Sequence, residues 1–82
     1  MKLFFEDRFG RLRPIADVEN KKDAATAIAN FLDQYNYISQ YTRFWIEDTP
    51  EGAKIIYDVG SHTEFFELHF NNYEEARTFL ES

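Results

Sequence analysis

No cysteine occurs in this chain, which excludes a disulfide framework and every thiolate metal site. Three glycines are too few and too scattered to build a phosphate-cradling loop. No apolar run approaches the length of a bilayer span, so no contact with a membrane is expected. Near the N-terminus, Glu6, Asp7 and Arg8 fall where a secretory signal would need its apolar segment. These absences together predict a soluble, cytoplasmic protein. Basic side chains are also scarce in one half. Residues 47–82 carry two basic and nine acidic side chains, a balance of −7, whereas residues 1–46 carry seven and six, a balance of +1. A net charge of −6 offers no basic footprint, which argues against direct nucleic-acid binding.

What is abundant is aromatic surface. Nine Phe, five Tyr and one Trp make up 18% of the 82 residues. A chain of this length forms one domain, residues 1–82, and its small core gains from large rings. Residues 2–7 alternate as a strand, with Leu3 and Phe5 on one face and Phe4 on the other. Gly10 marks a turn, and residues 12–18 return as a second strand. Pro14 cannot donate a ladder hydrogen bond, which predicts an edge position or a bulge there.

Asn20 followed by Asp23 has capping-box spacing and opens a helix. Ala24, Ile28, Phe31, Leu32 and Tyr35 form its apolar stripe, and Asn36 is suited to end it in a left-handed conformation. Residues 40–47 alternate again, with Thr42, Phe44 and Ile46 on one face and Tyr41, Arg43, Trp45 and Glu47 on the other. A five-residue loop from Asp48 to Gly52 leads to a strand over 53–59. A tight turn at Gly60-Ser61-His62 leads to a last strand over 63–70. Asn72 with Glu75 repeats the capping spacing before a short helix bearing Tyr73, Ala76, Phe79 and Leu80. The order is β-β-α-β-β-β-α: an α+β, two-layer domain, with a mainly antiparallel sheet and two helices on one face.

The stretch YDVGSHTEFFELHF, residues 57–70, concentrates reactive side chains. Asp58, Ser61 and His62 are the ingredients of a catalytic triad, but a triad needs a linear geometry that one turn cannot supply. The same residues suit a polar β-turn. Glu67 with His69, and His62 with Glu64, have the spacing of ligands on one strand face, yet no metal-binding signature accompanies them. No cofactor motif is present, and no residue is assigned a catalytic role. A small hydrolase or metal enzyme around Asp58, His62 and His69 is the least favoured outcome.

The sheet face opposite the helices is more informative. If Phe44, Ile46, Ile55, Tyr57, Phe66 and Leu68 face the helices, then Tyr41, Arg43, Trp45, Ile56 and Phe65 face away. Aromatic residues and arginine are enriched where binding energy concentrates. Tyr41, Arg43, Trp45 and Phe65 are therefore the expected contacts for a protein partner, although a homodimer would cover them equally. An alternative places Glu47, Asp48, Glu51, Asp58, Glu64, Glu67, Glu74 and Glu75 on an acidic surface that mimics nucleic-acid phosphates. The run IIYDVGSHTEFFEL, with MKLFFEDRFG at the start, resembles small uncharacterised proteins encoded by phages and prophages of Gram-positive bacteria. That resemblance implies no catalytic residues. It implies an accessory protein that binds and redirects a host protein.

Overall fold

A computed structural model describes residues 1–37 and 42–82 of the chain. Its elements run β1 (Lys2–Glu6), β2 (Leu12–Asp17), α1 (Lys21–Gln34), β3 (Arg43–Thr49), β4 (Gly52–Asp58), β5 (Phe65–Phe70) and α2 (Tyr73–Glu81). The strands form one antiparallel sheet in the order β2-β1-β5-β4-β3. Two hairpin systems thus meet at β1 and β5, where Leu3 stands opposite Leu68 and Phe5 opposite Phe66. Both helices lie on one face, giving the two-layer α+β arrangement expected from the sequence. No described helix is long and apolar enough to cross a membrane.

Strand alternation selects the core. Leu3, Phe5, Ile55, Tyr57, Phe66 and Leu68 point toward the helices and pack on Ala24, Ile28 and Phe31 of α1 and on Ala76 and Phe79 of α2. Rings dominate this layer. Phe31 lies 4.6 Å from Phe5 and meets Phe66 edge-on at 5.4 Å, centroid to centroid. The exposed Arg13 guanidinium then closes over Phe5, Phe31 and Tyr35, adding cation–π attraction at the margin.

Local sequence explains where the elements begin and stop. Asn20 Oδ1 accepts the Asp23 amide at 2.9 Å, and Asn72 Oδ1 accepts the Glu75 amide at 2.9 Å. Asp23 and Glu75 reciprocate one residue earlier than a capping box would, accepting the amides of Glu19 and Asn71. The end of α1 has Asn36 at φ 58°, with Tyr37 N–H donating to the Leu32 carbonyl and Asn36 N–H to that of Asp33. Those two bonds satisfy carbonyls that the helix itself leaves open. Pro14 occupies both settings predicted for it. It sits on edge strand β2, at a register shift between Leu3 and Phe4.

Three expectations need correction. The loop from Asp48 to Gly52 is shorter than predicted, since β3 continues to Thr49 and pairs it with Gly52. Gly52 makes this tight return feasible by lying against the backbone of residues 70 and 71. An ideal Cβ there would fall 2.6 Å from the Asn71 carbonyl oxygen and closer still to that of Phe70. The last strand starts at Phe65 rather than at residue 63. Ser61 Oγ accepts the Thr63 and Glu64 amides and donates to the Glu64 carbonyl, so those backbone groups bond locally instead of joining the ladder. Phe44 faces the helix side, 5.8 Å from Tyr57, but is 50% exposed because β3 is an edge strand.

Two substitutions report on this packing. Gly52→Ala is expected to lower unfolding free energy by about 2–3 kcal/mol through the backbone clash, measured by urea denaturation. Among the described residues the Tyr57 hydroxyl is buried without a hydrogen-bond partner, and burial pushes its pKa up to about 12. Tyr57→Phe removes that uncompensated group and is expected to raise stability by about 1 kcal/mol in the same assay.

Candidate functional site

The face turned away from the helices is built by the second set of alternating side chains. Its middle row runs Pro14, Phe4, Glu67, Ile56 and Trp45 from β2 to β3. The row on one side runs Leu12, Glu6, Phe65, Asp58 and Arg43. On the other side lie His69, Lys54 and Glu47. Phe4, Trp45 and Phe65 are half-buried, and Ile56 is buried although no helix covers it.

At one side of the face, three sequence-predicted contact residues gather. Arg43 stacks over the Trp45 ring at 5.2 Å, and the Trp45 indole N–H donates to Glu47 Oε2 at 2.9 Å. The Arg43 guanidinium also reaches Asp58 Oδ2 at 3.2 Å. Phe65 stands beside Asp58 in register. Tyr41, the fourth expected contact, lies outside the described residues.

The centre of the face holds a cluster of charged side chains in which the Glu67–His69 pair read from the sequence is joined by Lys54 and Glu6. Glu67 is only 2% exposed. Its Oε1 accepts from His69 Nε2–H at 3.0 Å and lies 3.5 Å from Lys54 Nζ. Glu6, brought alongside by the β1–β5 pairing, shares a hydrogen bond with Glu67. That bond, with burial and the Glu67 charge, pushes the Glu6 carboxyl up to about 7. For Glu67, burial favours the neutral acid. The hydrogen bonds from Glu6 and His69 and the Lys54 charge outweigh it and hold the group below its ordinary value. Below about pH 7 the two carboxyls therefore hold one proton between them. Phe4 stacks on the His69 ring at 5.0 Å, and a concavity of about 320 Å³ opens beside Lys54, Glu67 and His69. The Glu67-to-His69 spacing was visible in the sequence, but Glu6 is remote in the chain and only the strand order reveals it.

The stretch from residue 57 to 70 behaves as a polar connection between β4 and β5. Asp58 is fully buried, and its Oδ1 accepts the Gly60 amide at 2.9 Å. Burial alone would raise the Asp58 carboxyl. The Gly60 amide, Arg43 and His62 together lower it instead. His62 Nδ1 lies 3.6 Å from Asp58 Oδ2 at a residue with φ 63°. The Ser61 hydroxyl proton is directed to the Glu64 carbonyl, so these three residues do not form a serine–imidazole–carboxylate line. Among the described residues no three of His, Asp and Glu converge to hold a metal ion.

The acidic residues divide. Asp58, Glu64 and Glu67 are buried, which removes them from the expected acidic surface. Asp58 meets Arg43 and Glu67 meets Lys54, while Glu64 accepts from the Tyr37 hydroxyl at 2.8 Å. Glu47, Asp48, Glu51, Glu74 and Glu75 are exposed. Packing of Gly52 against Asn71 brings the turn after Asp48 next to the start of α2, where Glu74 and Glu75 lie.

No family model matches the sequence, and no curated protein or solved structure matches it either.

The carboxyl pair makes stability depend on pH in a definite direction. Glu6 titrates at about 7 when folded against an ordinary value of 4.5. The folded state therefore takes up a proton between these values, and stability falls as pH rises through about 7. Glu67 acts oppositely, its contribution being lost at acid pH as it protonates below its ordinary range. Glu6→Gln keeps a donor toward Glu67 without the second charge. Urea unfolding is expected to show it more stable than the wild type by about 1 kcal/mol near pH ~8, with the difference vanishing near pH ~5.

Proposed function

We propose that this protein is a non-enzymatic interaction module that binds a partner protein through its open sheet face, with Trp45, Arg43 and Phe65 as principal contacts. The observation that carries this reading is the pair of half-buried rings Phe4 and Trp45 in the middle row, on either side of Glu67 and Ile56, flanked by Phe65 and with no described helix over them. Large rings held in place by neighbours lose little freedom on binding, and burying the remainder of their surface favours association. Arg43 is stacked on Trp45 and tethered to Asp58, so its guanidinium is already oriented. Pre-organisation of this kind lowers the entropic cost of docking. The resemblance to phage and prophage accessory proteins supports the same reading, with a host protein as partner and the cytoplasm as location.

A second reading is supported by the exposed acids around the β3–β4 turn and the start of α2. Asp48, Glu51, Glu74 and Glu75 would stand in for phosphates in the basic groove of a DNA-binding protein. The two readings differ in salt dependence, because a phosphate mimic is released steeply as ionic strength rises, whereas an aromatic interface is not.

The deciding experiment is affinity capture from host lysate with wild type and with a folded Trp45→Ala, Phe65→Ala variant, washed at low and high salt. The face reading expects a partner retained at high salt and lost, by at least about tenfold in affinity, in the variant. A partner that binds the folded variant as well as the wild type overturns it. Release by salt from both proteins points to the acidic end instead.

A further inference from the structure

The two edges of the sheet are treated differently. β2 carries Pro14 and a register shift, two devices that stop another strand from adding on. β3 has neither. Its seven residues, RFWIEDT, contain no proline, glycine or lysine, and among the described residues no strand pairs with its outer side. In an antiparallel ladder the backbone groups of alternate residues turn outward. β3 thus presents a template of amides and carbonyls, with Phe44 half-exposed beside it.

The side-chain pattern of this edge is complementary to itself. We propose that β3 pairs antiparallel with β3 of a second copy of this chain, about a two-fold axis at Trp45. In that register Arg43 stands opposite Glu47 of the second copy, Phe44 opposite Ile46, and Trp45 opposite Trp45. The charged rows then continue across the seam. Within one copy Glu47 is registered with Lys54, and Arg43 with Asp58. Joined, the row reads Lys54, Glu47, then Arg43 and Asp58 of the second copy, so the signs alternate at every step. Opposite charges directly across strands stabilise a sheet.

Neighbouring registers lack this match. Sliding by two residues in one direction puts Phe44 opposite Asp48 and Trp45 opposite Glu47. Sliding by two in the other puts Arg43 opposite Trp45. A slip of one residue turns the helices of the second copy to the other side of the sheet. The Trp45 register alone keeps both helix layers together, pairs both arginines with carboxylates and sets Phe44 against Ile46. This assembly uses the edge rather than the open face, and it joins two such faces into one ten-stranded platform (two five-stranded sheets side by side). It stands or falls independently of the partner-binding reading.

Sedimentation equilibrium over a concentration series tests the pairing. The wild type is expected to show a reversible monomer–dimer equilibrium. Arg43→Glu and Glu47→Arg each set like charges opposite one another at both ends, which is expected to weaken the dimer by at least about tenfold. Mixing the two variants in equal amounts is expected to restore dimerisation, because every Glu then faces an Arg. A wild type that stays monomeric throughout, or variants that dimerise as well alone as together, overturns the proposal. Arg43→Glu adds a carboxylate beside buried Asp58, and that variant risks misfolding. A mixture of differently isotope-labelled wild-type copies covers this case. Intermolecular NOEs between Phe44 and Ile46 are expected, and a dimer without them overturns the β3 pairing.

Discussion

The pairing of β1 with β5 is the constraint on which the rest of the molecule depends. It joins strands about 60 residues apart in sequence, setting Leu3 against Leu68 and Phe5 against Phe66 on the core side. Without it the N-terminal hairpin with α1 and the C-terminal meander with α2 would each expose an apolar edge. With it, the Phe5, Phe31 and Phe66 rings form a single cluster that neither half contains alone. The same ladder acts on the opposite face, where it sets Phe4 beside Glu67 and Glu6 beside Phe65. Core and candidate site are thus two sides of one strand pairing.

That double duty explains how a carboxylate can be buried on a sheet face no helix covers. Glu67 lies on a central strand among Phe4, Ile56 and the flanking polar groups. Burying an ionised group is costly unless it is paired and hydrogen-bonded. Here Lys54 and His69, with the hydrogen bond shared with Glu6, meet that requirement. Phe4, opposite Glu67 in register, stacks on the His69 ring and so packs beside these contacts. A cluster of this sort favours one arrangement of strands over near alternatives, because a shifted register would strand a charge.

Much of the architecture was legible in the sequence because its determinants are local. Asn20 and Asn72 announce helix starts by side-chain bonds spanning three residues, and Asn36 announces a helix end through its backbone preference. Pro14 declares an edge by lacking a donor. Face alternation placed Trp45, Arg43 and Phe65 on one side of the sheet. What was hidden depends on contacts distant in sequence. The Glu6–Glu67 carboxyl pair, the burial of Asp58, Glu64 and Glu67, and the half-exposure of Phe44 all follow from strand order and helix placement, which periodicity does not encode. The short β3–β4 turn was misjudged for a related reason, since Gly52 is required by the backbone of residues 70 and 71.

The order in which the chain is made gives the central pairing a further meaning. β1 leaves the ribosome well before its inner neighbour β5. Until then the nascent chain displays Phe4 and Phe5 on a strand with one open side, and long-range pairing of this kind is slow to form. The guarded β2 edge, with Pro14 and its bulge, leaves that inner side as the open flank of the nascent hairpin. The sheet is therefore completed by a zipping step in which a later strand closes over an earlier one. Chaperone dependence during translation is expected to concentrate in that interval.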